Sequence, residues 1–146
     1  MTHREAAECD CSVLAEMNHQ LIQDERHRNP MTVAELAERM RGWLSSGVYR
    51  AILFEHDSVP LAYALFRTEP DSSIYLRQLF VSRERRRQGV GSQAVELLFR
   101  EVFPRTARVT VEVLADNQLG RAFWTAVGFQ SHSICLERFN DNTRDA

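Results

Sequence analysis

The chain contains no lysine, because all 18 of its basic side chains are arginine. This absence excludes a P-loop nucleotide site, which needs a lysine that can reach the terminal phosphates. The cysteines are few: Cys9, Cys11 and Cys135 form no C-x-x-C pair and have no histidine at ligand spacing. We therefore expect free thiols in a reducing compartment and no metal site.

Long apolar runs are also missing. No run approaches the roughly 18 residues that indicate a membrane span, and no charged-then-apolar leader is found. The net charge of −2 gives no general attraction to nucleic acid, although the arginines of residues 83–87 keep that alternative testable by salt dependence. We expect one cytoplasmic domain, 1–146, that binds neither membranes nor nucleic acid.

What the sequence does contain is a strand, an arginine- and glycine-rich loop and a helix, in that order. Residues 74–82 are dense in β-branched and aromatic residues, which favours a strand. Arginines follow at 83, 85, 86 and 87, and residues 90–102 repeat apolar side chains at helical spacing. The first turn of a helix has N–H groups without partners, and glycines at 89 and 91 leave room above them. This order predicts a site for a phosphate.

A dinucleotide fingerprint is the other known motif that this stretch fits. Residues 89–94 match G-x-G-x-x-A, but residues 82–88 separate the first glycine from the strand. The acidic residue expected about 20 positions further on is absent, because position 109 is a valine. We therefore disfavour this alternative.

The rest of the chain alternates helical and strand patterns. Helices are predicted to begin near Asp10 or Ser12, at Thr32 and near Asn117. The strand patterns cover 48–55 and 59–67, which form a hairpin, followed by 108–114 and 129–139. Together they predict an α/β (α+β) fold with a largely antiparallel sheet and one parallel crossover through helix 90–102.

Two motifs carry a family resemblance. Residues 86–91, R-x-x-G-x-G after an L-F-V strand, resemble the pyrophosphate loop of the GNAT superfamily of acetyl-CoA-dependent N-acetyltransferases. Residues 117–129 are similar to that family's N-x-x-A-x-x-[FY]-[YW]-x-x-x-G-F segment. The resemblance implies a first strand within residues 2–7, helices on both faces of the sheet and, as is frequent in the family, a homodimer.

The resemblance also implies a function and its residues. The function is transfer of the acetyl group of acetyl-CoA to a primary amine of a small molecule or peptide, by direct attack. The coenzyme residues would be Leu79, Phe80, Val81, Arg86, Arg87, Gln88, Gly89, Val90, Gly91, Ser92, Asn117, Phe123 and Trp124. The backbone N–H of Phe80 would stabilise the oxyanion, with Tyr75 and Gln78 as further catalytic candidates. Acceptor residues would be Asp24, Glu25, His27 and Asn29, whose acidic members could attract a cationic amine.

The catalytic groups depart from the family pattern at two places. Trp124 stands where many members carry a tyrosine that protonates the departing thiolate. No acidic residue occurs between Ile74 and Ser82, where some members carry a glutamate base. The alternative is therefore a coenzyme A-binding sensor or interaction module with weak catalysis.

Overall fold

The computed structural model describes residues 1–141, which contain a five-stranded sheet in the order β1-β2-β3-β4-β5. The strands are β1 Thr2–Glu5, β2 Arg50–His56, β3 Val59–Thr68, β4 Ile74–Val81 and β5 Val109–Thr110. The first four are antiparallel neighbours, whereas β4 and β5 are parallel. The mixed, mostly antiparallel sheet and its one parallel crossover are confirmed.

Helices cover both faces of this sheet, as predicted. They are α1 Cys11–Asp24, α2 Val33–Ser46, α3 Val90–Leu97 and α4 Gln118–Ala126. On one face Leu14 of α1 and Met40 of α2 pack against Tyr63 and Phe80 of the sheet. On the other face α3 packs its apolar stripe against a second cluster that includes Phe54. A π-helical turn, Leu98–Val102, continues α3, so the predicted helical span of 90–102 holds.

Local chemistry sets the helix boundaries. The Thr32 hydroxyl accepts a hydrogen bond from the N–H of Glu35, and the Glu35 carboxylate accepts one from the N–H of Thr32, so the predicted capping box is present. Gly47 ends α2 in the left-handed region, with φ 78°. No helix within residues 1–141 is long and apolar enough to cross a membrane.

Two strand predictions were too generous. The strand predicted at 108–114 is reduced to Val109–Thr110, and the predicted strand 129–139 does not form within the described chain. Ile134 and Leu136 instead lie 86% and 88% exposed. Alternating apolar residues form a strand only where a neighbouring strand pairs with them, because β-propensity largely measures packing against such neighbours. Here the two segments do not pair with each other.

A β-bulge interrupts β4 in its middle. Leu65 of β3 pairs with Gln78, but the next residue, Phe66, pairs with Leu76, so Arg77 is the extra residue. Consecutive side chains normally alternate between faces, yet Arg77 and Gln78 both lie on the side of α1 and α2. The bulge therefore brings two polar side chains together on one face, just before the end of the strand.

Candidate functional site

The edge of β4 that faces β5 is open over most of its length. Only Ile74 and Tyr75 pair with β5, and no other strand of residues 1–141 lies against residues 76–81 on that side. The N–H of Ser82 donates to the carbonyl of Leu61 on β3, at 2.7 Å. Since N–H groups two residues apart point the same way, the N–H of Phe80 also faces β3. Those of Leu79 and Val81 face the open edge, where they can bind another chain or ligand.

The N-terminus of α3 lies at the end of this edge. Gly89 is its N-cap in the left-handed region, with φ 76°, and the first intrahelical bond joins Gln93 N–H to the Gly89 carbonyl at 3.0 Å. The N–H groups of residues 90–92 therefore have no acceptor in the described chain. Together with the positive end of the helix dipole, these N–H groups suit an anion.

A cleft of about 360 Å³ joins the open edge to the helix N-terminus. Most of the residues that the resemblance assigns to the coenzyme line it together: Leu79, Phe80, Val81, Arg86, Arg87, Gly89, Val90, Gly91, Ser92, Phe123 and Trp124. Trp124 packs edge-on against Phe123, with ring centroids 5.0 Å apart, so α4 forms an aromatic wall. The structure therefore brings two segments that are about 30 residues apart in sequence to one cleft.

Two assigned coenzyme residues lie outside the lining. The Asn117 side chain accepts a hydrogen bond from the N–H of Gly120 at 3.0 Å and so caps α4. A Cβ at position 120 would lie 2.5 Å from Asn117 Nδ2, which explains the glycine there. Gln88 donates its side-chain amide to the carbonyl of Glu84 at 3.4 Å. Both residues shape the neighbouring backbone.

Sequence reasoning missed two residues of the lining. Leu21 lies on the apolar stripe of α1, which the sequence assigns to the core, and Arg85 lies inside the arginine run. The arginine run is a signal that could have identified Arg85. Nothing in the local sequence separates Leu21 from the buried residues of its helix.

The arginines of the loop divide into paired and unpaired groups. Asp24 accepts from Arg83 at 2.9 Å and from Arg86 at 2.5 Å. Although burial opposes it, these hydrogen bonds from Arg86 and Arg83 lower the pKa of the Asp24 carboxyl. Arg85 and Arg87 have no ion pair within residues 1–141, so they are the cations available to a ligand in the cleft.

The residues assigned to the acceptor do not line the cleft. Asp24 is neutralised by its two arginines, which removes the predicted attraction for a cationic amine. His27 Nδ1 accepts from the N–H of Asn29, and the Asn29 side chain accepts from the following turn at Met31. Glu25 is half-buried, and burial together with the nearby Asp24 carboxylate raises its pKa.

Tyr75 and Gln78 lie on the β4 face that α1 and α2 cover. Gln78 Oε1 accepts a hydrogen bond from the Tyr63 hydroxyl at 2.8 Å. Burial and the Glu112 carboxylate raise the pKa of Tyr75, so its phenol is neutral near pH 7. Neither side chain is placed to accept a proton from a substrate. The amide oxygen of Gln78 already accepts from the Tyr63 hydroxyl, and the phenol of Tyr75 keeps its own proton.

Comparison with known proteins agrees with this geometry. The model of the acetyltransferase (GNAT) family matches residues 14–129. The thialysine N-epsilon-acetyltransferase of Bos taurus is 25% identical over a match of 140 aligned positions, and this match covers 87% of this chain and 82% of the relative. Two solved structures share the fold. One is a predicted acetyltransferase from Clostridium acetobutylicum with acetyl-CoA, at 18% identity, TM-score 0.73 and coverage of 94% and 95% of the two chains. The other is an aminoglycoside 6'-N-acetyltransferase from Acinetobacter haemolyticus, at 18% identity, TM-score 0.75 and coverage of 97% and 99%.

The family match covers the whole of the cleft, from α1 through the loop to the end of α4. It includes the open edge of β4 and the glycine loop at the start of α3. The chain therefore belongs to the acetyltransferase (GNAT) family and is an acetyl-CoA-dependent N-acetyltransferase.

Proposed function

We propose that this chain transfers the acetyl group of acetyl-CoA to a primary amine of a small molecule, by direct attack of the amine at the open edge of β4. The observation that carries the proposal is the juxtaposition of unpaired donors. Leu79 and Val81 offer N–H groups at the edge, and residues 90–92 offer three more at the end of the same cleft.

The cleft fits acetyl-CoA group by group. The free amides of residues 90–92 and the unpaired Arg85 and Arg87 suit a diphosphate, because charge-assisted hydrogen bonds are the strongest available to it. The edge donors of β4 suit an extended chain of amides, which would add to the sheet as a further strand does. When bound, the coenzyme supplies an acetyl group activated as a thioester.

The donor for the developing oxyanion is best assigned to Leu79. The resemblance implies Phe80, but the backbone of Phe80 faces β3, as the hydrogen bond from Ser82 to Leu61 indicates. The N–H of Leu79 faces the cleft one residue earlier, directly after the bulge. A rigid donor at this point needs no reorganisation during the reaction, so it stabilises the oxyanion more than a mobile side chain would.

We propose Glu25 as the general base, although it lies outside the lining of the cleft. Its raised pKa makes it a stronger proton acceptor than an exposed carboxylate. Burial raises the pKa of Tyr63, and the charge of Glu25 raises it further. The Tyr63 hydroxyl in turn donates a hydrogen bond to Gln78, next to Leu79, whose N–H defines the proposed transfer site. We expect Glu25→Gln to lower kcat by roughly 10²–10⁴ with little change in acetyl-CoA affinity. Glu16→Gln, on the exposed side of α1, is the control, and an unchanged kcat in Glu25→Gln would rule out this base.

The placement of the three cysteines supports direct attack. None of the three cysteines lines it, and burial raises the pKa of Cys11, which is 1% exposed. A buried, protonated thiol is a poor nucleophile. Trp124 cannot protonate the thiolate, but a thiol with a pKa of about 8.5 leaves acceptably without help.

The function is tested by measuring thiol release from acetyl-CoA over a panel of primary amines that includes thialysine and an aminoglycoside. Binding of acetyl-CoA is followed in parallel through the fluorescence of Trp124 in a Trp43→Phe variant. Amine-dependent thiol release is the expected result. Tight coenzyme binding with no release on any amine would favour the sensor or interaction module, and absent coenzyme binding would overturn both.

A further inference from the structure

Beside the transfer site, on the face that α1 and α2 cover, arginines and aromatic rings form one cluster. Arg39 lies over the Trp43 ring at 4.5 Å, and Arg77 lies over the same ring at 4.9 Å. The Tyr49 hydroxyl accepts from Arg77 at 3.2 Å and from Arg67 at 3.0 Å. We refer to these five residues as the arginine–aromatic cluster.

The positive charge of this cluster is only partly compensated. Arg67 pairs with Glu69 at 2.6 Å. Within residues 1–141 neither Arg39 nor Arg77 has a carboxylate within ion-pair distance, although both guanidinium groups share one ring. Burial, followed by the charge of Arg77, lowers the pKa of Arg39. An anion placed between the two would relieve both effects.

Two buried polar atoms at the same place have no partner. Arg39 Nε and Asn18 Nδ2 are buried and make no hydrogen bond in the described chain. Asn18 is 1% exposed, and its side-chain oxygen already accepts from Arg39 at 3.3 Å. Burying a donor without an acceptor is costly, so native proteins rarely leave one unpaired. Both unpaired atoms are donors, so a group that pairs with them must be an acceptor.

The cluster adjoins the coenzyme cleft on two sides. Asn18 lies one helical turn before Leu21, which lines the cleft. Arg77 is the bulge residue of β4, and it lies two residues before Leu79, whose N–H faces the open edge. Two residues of a strand span about 7 Å. A molecule that joins the cluster to the amide of Leu79 therefore bridges neighbouring positions of one strand.

From this arrangement we infer that the acceptor is a small amino acid, a primary amine whose carboxylate binds Arg39, Arg77 and Asn18 Nδ2. The inference rests on the proposed function, because it assumes acetyl transfer at Leu79. Guanidinium groups match the two oxygens of a carboxylate, and the Trp43 and Tyr49 rings hold those guanidinium groups in place. The acceptor is thus selected by its negative charge, in contrast to the attraction of a cationic amine that Asp24 and Glu25 suggested.

The two tryptophans allow the two sites to be observed separately. In a Trp124→Phe variant the remaining tryptophan, Trp43, reports on the cluster. We expect 4-aminobutyrate to change the Trp43 emission and to bind at least about tenfold more tightly than 4-aminobutanamide, which has the same length without the charge. Equal affinity for the acid and the amide would overturn the inference.

Substitutions within the cluster decide whether the charge acts there. Arg39→Gln and Arg77→Gln should each remove most of the preference for the acid, in binding and in kcat/KM for thiol release. Arg41→Gln is the matched control, because Arg41 lies on the exposed side of the same helix and pairs with Glu38. Retention of the preference in both cluster variants would refute the inference, as would its loss in the control.

Failure of the inference can be distinguished from failure of the proposed function. In the wild-type protein, calorimetric titration reports acetyl-CoA binding without changing either site. Normal coenzyme binding and amine-dependent thiol release, with equal use of acid and amide, would overturn only the amino-acid acceptor. Absence of coenzyme binding in the wild type, with the preference for the acid intact in the Trp43 emission of Trp124→Phe, would overturn the proposed transfer and leave the carboxylate site.

Discussion

A single methyl group at Gly91 tests how closely the loop and α4 cooperate. A Cβ there would lie 3.0 Å from Cε1 and 3.2 Å from Cζ of Phe123, and 3.5 Å from Cγ2 of Val81. Carbon atoms normally approach to about 3.5–4.0 Å, so in Gly91→Ala the Phe123 ring must retreat by about half an ångström. The sequence motif assigns this glycine to phosphate access, and the structure shows that it also makes room for the aromatic wall.

The cost of that retreat depends on whether the cleft is filled. In the free protein the half-buried ring has space to move, and alanine gains up to about 1 kcal/mol over glycine within a helix, so stability should change little. With acetyl-CoA bound, the ring cannot retreat, and an overpacked contact costs about 1–3 kcal/mol. Because 1.4 kcal/mol is a factor of about ten, we expect Gly91→Ala to weaken acetyl-CoA binding about tenfold or more.

The assay combines calorimetric titration of acetyl-CoA with thermal unfolding of the free protein. Gly42→Ala is the control, because a Cβ at this position of α2 meets nothing within 4 Å. It should show the same small change in stability with wild-type affinity. Wild-type acetyl-CoA affinity in Gly91→Ala would refute the placement of the coenzyme against Phe123, and so would a large loss of stability without loss of binding.

Three further substitutions, the first with Gly47→Ala as its matched control, test separate parts of the site. Gly89→Ala and Gly47→Ala should each lower the free energy of unfolding by about 1 kcal/mol, or Tm by about 3 °C, because both glycines have nearly the same left-handed backbone. Only Gly89→Ala should also weaken acetyl-CoA binding. Asp24→Asn should lower the free energy of unfolding by about 1 kcal/mol at pH 7. The pKa of the Asp24 carboxyl is lowered in the folded state, so its stabilising effect is fully present above its ordinary pKa of about 3.9. In a pH series of denaturant titrations, the difference in free energy of unfolding between Asp24→Asn and the wild type should therefore disappear as the pH falls below that value. Trp124→Tyr should raise kcat at neutral pH if thiolate departure limits the rate, and an unchanged kcat at every pH would show that it does not.

Features encoded by neighbouring residues were predictable from the sequence. The strand before the loop, the helix start at Gly89 and the cap at Thr32 depend on contacts within a few positions, and all three are present. The covering of both sheet faces was implied by the family resemblance. The lining of the cleft likewise collects 11 of the 13 residues that the resemblance assigns to the coenzyme.

Features that depend on distant residues were not predictable. Asp24 meets Arg86 across 62 positions of sequence, so a residue expected to attract an amine is instead an ion-pair partner. The arginine–aromatic cluster joins α2, β3 and β4, and no local pattern indicates that Arg39 and Arg77 share a ring. The shortness of β5 depends on the absence of a pairing neighbour, which alternating valines at 109, 111 and 113 do not reveal.

The open side of β4 also affects how the protein behaves in the test tube. A row of unpaired main-chain N–H and C=O groups is a template with which a strand from another molecule can pair, and such open strand edges are known sources of aggregation. Ile134 and Leu136 add exposed apolar surface to the same molecule. Acetyl-CoA would cover this open edge of β4 when bound. Light scattering should therefore show large particles in preparations without the coenzyme and small ones in preparations saturated with it.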